Sequence, residues 1–133
     1  MTLRHMLDTN ICIFVMAGRG GLQERFEQEA DSLCMSSVTL AELAYGVEKS
    51  AARARNAAAL AAFAARLVVL DFDAVAAEAY GHLRARLERA GSVIGPYDLM
   101  IAAHARSRGL AVVTNNRREF DRVEGLAVED WSA

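Results

Sequence analysis

The stretch GPYDLMIAAHARSRGLAVVT, Gly95 to Thr114, holds a helix, its stop and a strand in immediate succession. Gly95-Pro96 suits a helix start, because proline at the first helical position gives up an amide that has no partner there anyway. The helix is expected to run to Arg108, with Gly109 as its C-terminal stop. From Tyr97 to Ala103 it is apolar nearly all round apart from Asp98, the mark of a central, buried helix. Leu110 to Thr114 then reads as a short buried strand. A buried helix feeding a short apolar strand is the unit from which α/β folds are built.

The same alternation extends to both sides. Leu3 to Leu7 reads as a first strand, Asn10 to Met16 as a short helix, and Gly18, Gly20 and Gly21 as a turn. A polar-faced helix over Leu22 to Ala30 precedes a second strand at Leu33 to Ser36. Ser36, Ser37 and Thr39 offer N-caps for a helix to Lys49. In it Leu40, Leu43, Ala44 and Val47 form the expected buried face, with Glu42, Tyr45 and Lys49 opposite. Ala51 to Arg66 is alanine-rich and helical by propensity, and Leu67 to Leu70 is a candidate buried strand. Asp73 can cap a long helix, Ala74 to Ala90, that Gly91 ends. Beyond Thr114, Asn115 to Phe120 is a short turn or helix and Leu126 to Val128 a last edge strand. This pattern predicts an α/β fold with a parallel sheet and helices on both faces.

Composition narrows the class further. A chain of 133 residues with 53% hydrophobic and 24% charged positions suits one domain, 1–133, with one ordinary core. No internal repeat or linker divides it. No apolar run approaches the roughly 18 residues of a membrane helix, and no secretory leader is evident, so a cytoplasmic protein is expected. Cys12 and Cys34 then read as reduced, buried thiols. Net charge is −2, yet Lys49 is the single lysine among fifteen basic residues. Arginine grips phosphate bidentately, although the many alanines point equally to arginine-rich codon usage.

Functional groups in open parallel sheets gather beyond the carboxyl ends of strands. That rule selects Asp8 after the first strand and Thr114-Asn115-Asn116 after the Leu110 strand. Glu42 lies early in its helix, and Asp98 heads the central helix on the stripe of Ile101, Ala102 and Ala105. Each acid also has an ordinary reading: Asp8 as a helix cap, Glu42 as a solvated side chain, Asp98 as a partner of the helix dipole, Glu119 as an ion-pair partner of nearby arginines. Together they say more. If the fold brings Asp8, Glu42, Asp98 and Glu119 within about 5 Å, each pair repels by roughly 3 kcal/mol at an effective dielectric of 20. A divalent cation would relieve this, and oxygen-only ligands favour Mg²⁺ or Mn²⁺ over zinc. His5, His82, His104 and the cysteines lack zinc spacing. No Walker loop, GxGxxG or GxSxG occurs, and Gly91-Ser92-Val93-Ile94-Gly95 has its serine misplaced.

Four strings carry a resemblance: Met6-Leu7-Asp8-Thr9-Asn10, Ser37-Val38-Thr39-Leu40-Ala41-Glu42-Leu43, Ile94-Gly95-Pro96-Tyr97-Asp98-Leu99-Met100-Ile101-Ala102, and Thr114-Asn115-Asn116-Arg117-Arg118-Glu119-Phe120. In order and separation they resemble the acidic motifs of PIN-domain proteins, and among these the VapC toxins of bacterial toxin–antitoxin pairs. The likeness runs from about residue 3 to the Glu129-Asp130-Trp131-Ser132 end. It implies a three-layer α/β/α PIN-like domain with a central, mainly parallel sheet, and a Mg²⁺-dependent endoribonuclease in which Mn²⁺ can substitute. Asp8 and Asp98 match the metal-binding aspartates, Glu42 the second acid, and Glu119 the acid of the last motif. Thr9 and Thr114 match hydroxyls that orient water, or serve only as turn and cap donors. Asn116 stands where many PIN domains carry an aspartate, which would weaken a second metal site.

Hydrolysis by in-line attack of an activated water is then expected, leaving 5′-phosphate and 3′-hydroxyl ends. The Thr-Asn-Asn and Asp-Trp-Ser segments look most like the VapC subgroup that cuts initiator tRNA in the anticodon loop. Arg84, Arg86, Arg89, Arg106, Arg108, Arg117 and Arg118 are candidate RNA contacts or simply solvated. The resemblance also implies a VapB-like antitoxin partner, operator DNA reached only through that antitoxin, and a homodimer. Tyr45, Phe63 and the Ala51 to Ala65 helix offer a packing groove or belong to the core. Two other readings remain: a catalytically weak PIN-like protein that binds RNA or antitoxin, and a phosphoacceptor receiver domain, which would need a lysine after a late strand where this chain has Asn and Arg.

Overall fold

A computed structural model describes residues Thr2 to Ser132. Its elements follow in order as β1 (His5–Leu7), α1 (Thr9–Met16), α2 (Gly20–Glu29), a 3-10 turn (Ala30–Ser32), β2 (Leu33–Ser36), α3 (Ser37–Glu48), α4 (Arg53–Ala64), β3 (Val68–Leu70), α5 (Ala74–Arg89), α6 (Pro96–Ser107), β4 (Ala111–Val113), α7 (Arg117–Phe120) and β5 (Val128–Glu129). The strands form one sheet in the order β3-β2-β1-β4-β5, and every neighbouring pair is parallel. His5 pairs with Leu33 on one side and with Ala111 on the other. Chain order runs outward in both directions from β1, so the switch point of the sheet lies between β1 and β4.

Alternation along the strands divides the core in two. Met6, Cys34 and Val112 point to the face covered by α5 and α6, where Leu83, Leu87, Leu99, Ile101 and Ala102 meet them. Leu7, Leu33, Met35 and Val113 point to the opposite face, against Ile11, Phe26, Leu43 and Phe63. This is the expected three-layer α/β/α arrangement. Gly91 and Gly109 follow α5 and α6 with φ of +68° and +69°, a conformation that favours glycine and ends each helix. Cys12 and Cys34 are both buried and unbridged, as expected, and burial pushes the Cys34 thiol up to about 12.

Three expectations need correction, and one open alternative, that of Phe63, is decided. Leu67 to Leu70 is an edge strand, not a buried one: β3 has a neighbour only in β2, and Val68 is 45% exposed. The inward face of α3 is rotated from the expected one: Thr39 and Leu43 are buried, Ala44 is exposed, and Glu42 is half-buried. α3 packs against α1, α4 and α6 at once, and a cleft lined by Leu43, Val47 and Leu60 remains beside α4. Phe63 belongs to the core and stacks on Phe26 with centroids 5.4 Å apart, whereas Tyr45 faces outward. Tyr97, at the exposed start of α6, escapes the burial of the rest of that helix.

His104 on α6 is fully buried; its Nδ1 lies 2.8 Å from Ser36 Oγ, and its Nε2 has no hydrogen-bond partner among the described residues. Burial, the dominant cause, holds its pKa below 6.5; nearby Arg108 adds to this, while Asp73 and Asp71 oppose it. The unfolded chain therefore protonates this group first as pH falls. Its contribution to stability is complete above about pH 6.5 and is lost as pH drops toward the native pKa. Denaturant unfolding at pH 7.5, 6.5 and 5.5 should show a wild-type loss that His104→Asn lacks; identical pH slopes would contradict it.

Candidate active site

β1 ends at Leu7, and the next residue caps α1. Asp8 Oδ1 accepts from the Ile11 amide at 2.9 Å, while Oδ2 accepts from the Thr114 hydroxyl at 2.5 Å. Capping and a site role are thus not alternatives, because the two oxygens divide the work. The Asp8 amide donates to the Val113 carbonyl at 3.0 Å, which continues the β1–β4 ladder into the site. Asp8 is 2% exposed. Burial, the largest influence, raises its pKa against the opposing hydrogen bonds from Thr114 and Ile11, and the charges of Glu42 and Asp130 raise it further.

Thr114 is itself pinned. Its amide donates to the Glu129 carbonyl at 3.0 Å, and its hydroxyl accepts from the Asn116 amide at 2.8 Å. Glu42 lies in the second turn of α3, where Thr9 Oγ1 donates to its Oε1 at 2.6 Å and Thr39 Oγ1 stands 3.3 Å from the Thr9 hydroxyl. Glu119 on α7 accepts from Asn116 Nδ2 at 3.0 Å. Asp98 sits in the first turn of α6, half-buried. Its pKa is pushed up to about 7, first by burial, then by the charge of Asp8, by a hydrogen bond to Glu119, and by the charges of Glu119 and Glu42. Each of these four acids therefore feels at least one of the others.

Among the described residues none of the four forms an ion pair. Buried carboxylates without a cation are costly and are usually paired or metal-bound. The all-oxygen donor set thus fits a hard divalent cation in its chemistry. In geometry, no three His, Cys, Asp or Glu side chains close round one point among the described residues; Glu42 engages Thr9 and Glu119 engages Asn116. That suits Mg²⁺, which is commonly held by one or two carboxylates and keeps several waters. Asp8 and Asp98 both carry a raised pKa, and the charge of Asp8 bears on Asp98.

The arginines are less available than their number suggests. Arg84 donates to Glu88 at 2.9 Å and to Tyr80 at 3.1 Å, and Arg86 donates to Glu124 at 2.6 Å. Arg117 donates to Asp121 at 3.1 Å and to the Val128 carbonyl at 2.9 Å, tying α7 to β5. Arg118 is exposed and has no such partner among the described residues. The charged pairs among these are exposed and screened by solvent, so they can be exchanged for another anion.

Sequence reading missed two contributors. Thr39 lies one turn before Glu42, so their shared face was open to inspection once Thr39 was not the cap; the cap is Ser36, whose Oγ accepts from the Val38 amide at 3.1 Å. Asp130 reaches the field of Asp8 only through the pairing of β5 with β4, for which no local pattern exists.

Residues 5–126 match the family model of the PIN domain. The chain is 55% identical over 131 residues to the tRNA(fMet)-specific endonuclease VapC of Shigella flexneri, covering 98% of this chain and 99% of that protein. It is 48% identical to ribonuclease VapC2 of Haemophilus influenzae, covering 97% and 98%. Among solved structures, the DNA-bound VapBC of Salmonella typhimurium superposes with a TM-score of 0.94 at 53% identity over 97% of this chain and 98% of that one. VapBC2 of Rickettsia felis bound to a promoter DNA fragment gives 0.92 at 38% identity over 99% and 100%.

At pH 8, where Asp98 is mostly ionised, Asp98→Asn should melt several degrees above wild type in EDTA, because it removes like-charge repulsion. Adding Mg²⁺ should raise the wild-type midpoint and leave the variant nearly unmoved. A Mg²⁺ response equal in both proteins would remove Asp98 from the ion site.

Proposed function

The chain belongs to the PIN-domain family and, within it, to the VapC ribonucleases, and we propose that it is the Mg²⁺-dependent endoribonuclease toxin of a toxin–antitoxin pair, cutting initiator tRNA in its anticodon loop. The observation that carries this reading is a set of four acids, with no ion-pair partner among the described residues, in which Asp98 feels the charges of Asp8, Glu42 and Glu119. The tRNA substrate rests on the likeness to the Shigella flexneri enzyme.

Asp8 and Asp98 would hold the ion, with Mn²⁺ as a substitute. A bound Mg²⁺ would neutralise charge on the phosphate oxygens and lower the pKa of a water. The protein supplies placement. Thr114 and Ile11 fix the Asp8 carboxylate in one orientation. Asp98, held near 7, gives up its proton where a cation takes its place. Thr9 engages Glu42 Oε1, which leaves Oε2 to accept a proton from the attacking water. Asn116 Nδ2 engages Glu119 Oε2 and brings no charge of its own, so a second ion would rest on Glu119. Arg118, beside Glu119, is the arginine best placed for an RNA phosphate.

A VapB-like antitoxin is the proposed partner, by likeness to the VapBC assemblies, with operator DNA reached through it and a homodimer of toxins within the complex. Its tail would lie in the cleft of about 390 Å³ between α1, α3 and α4, lined by Met16, Leu43, Val47 and Leu60 and reaching Glu42. Among the described residues no helix is long and apolar enough to cross a membrane; the proposed site of action is the cytoplasm, by likeness to the VapC ribonucleases.

The antitoxin-free protein should cut initiator tRNA once, with Mg²⁺ and not with EDTA. Asp8→Asn and Asp98→Asn should each lose about 10³-fold or more in rate. Product ends should be 5′-phosphate and 3′-hydroxyl; a 2′,3′-cyclic phosphate would overturn the hydrolytic mechanism. A folded wild type that binds Mg²⁺ and RNA but leaves a panel of RNAs intact would favour the binding-only alternative.

A further inference from the structure

Two aromatic side chains have no packing role that explains them. Tyr45 on α3 is 66% exposed and Tyr97 on α6 is 57% exposed. Aromatic rings left in water forgo the stabilisation their burial would bring. Both line one cleft of about 640 Å³, together with Thr9, Asn10, Glu42 and Lys49. That volume falls in the range of about 300–1,000 Å³ typical of small-ligand sites.

The composition of the cleft narrows its occupant. Thr9 and Glu42 belong to the acidic site, so cleft and site are continuous. Lys49, the single lysine of the chain, places its ammonium 5.0 Å from the Tyr45 ring centroid and forms no ion pair among the described residues. Asn10 is exposed and offers both an amide donor and a carbonyl acceptor. Aromatic faces, an amide and one cation beside a phosphate-cleaving centre are the chemistry that receives an unstacked nucleobase and the phosphate next to it.

We propose that Tyr45 and Tyr97 form a stacking surface for an unpaired base flanking the cleaved phosphate, with Lys49 contacting the adjoining backbone phosphate. This rests on the ribonuclease reading above and deepens it. A base held in a duplex is stacked on both faces and cannot enter the cleft, so the two rings select single-stranded loops over stems. Base identity is left to Asn10 and the cleft walls.

The test uses the full chain and an anticodon stem-loop of initiator tRNA, cut in Mg²⁺. Tyr45→Ala and Tyr97→Ala should each lower kcat/KM about 10-fold, mainly through KM, while Tyr45→Phe and Tyr97→Phe stay within about twofold. One abasic nucleotide beside the cut should weaken the wild type by a similar factor and add nothing to the Ala variants. Lys49→Gln should flatten the plot of log Kd against log salt by about 0.7, one single-strand phosphate. Folded Ala variants with wild-type kcat/KM would overturn the proposal and leave the ribonuclease reading standing. The same variants losing only antitoxin affinity would assign the cleft to the protein partner, and so overturn it too. A Phe loss equal to the Ala loss would show that the hydroxyls matter and the rings do not. A wild type that binds Mg²⁺ yet cuts no RNA would overturn both readings together.

Discussion

The hydrogen bond from Thr114 to Asp8 joins positions 106 residues apart and closes the ends of two adjacent parallel strands over one buried carboxylate. Much depends on it. Thr114 can reach Asp8 only because β1 and β4 pair in register from His5 with Ala111 to Leu7 with Val113. Thr114 is held in turn by the Glu129 carbonyl, so β5 must be seated on β4 before the acid is oriented. The seating of β5 uses Arg117 on the Val128 carbonyl, together with His5 Nε2, which lies 3.0 Å from Glu129 Oε2. A short, two-residue strand at the sheet edge thereby acts on the centre of the site.

Around that bond the protein keeps its charges apart by sign. Several of its exposed carboxylates have arginine partners: Glu27 with Arg66, Glu88 with Arg84, Glu124 with Arg86, Asp121 with Arg117. Among the described residues the four acids of the site have none. Carboxylates about 5 Å apart repel by roughly 3 kcal/mol at an effective dielectric of 20; burial first, and then the neighbouring acids, raise the pKa of Asp98. The fold tolerates this through two cores packed on opposite faces of the sheet. Stability is carried there, and the switch point between β1 and β4 is left for binding.

The strands and helices are legible in the sequence where periodicity and caps coincide. Pro96 and Gly109 bracket α6, Asp73 caps α5, and Asp8 and Thr114 end the two strands that meet at the switch point. What escapes sequence reading is set by tertiary packing. Apolar spacing points Leu40, Ala44 and Val47 inward, but Ala44 lines an open cleft between α3 and α4 and stays exposed, while Glu42 turns toward Thr9. The β3 segment is as apolar as a buried strand and is an edge strand only because nothing pairs beyond it. Arg86 meets Glu124 across 38 residues, a pairing with no local signal. The acids themselves are legible as four motifs, whereas the orientation of each carboxylate is not, because it comes from Thr9, Thr114 and Asn116 brought in by the fold.

The central claim is that Asp8 and Asp98 share one divalent cation at the switch point, with water completing its shell. Anomalous scattering from a crystal grown in Mn²⁺ tests this most directly. The account predicts one strong peak within about 2.0–2.2 Å of carboxylate oxygens from both Asp8 and Asp98, with oxygen-only ligands. A well-ordered crystal in which Mn²⁺ binds elsewhere, or in which either aspartate stands outside its coordination shell, would contradict it.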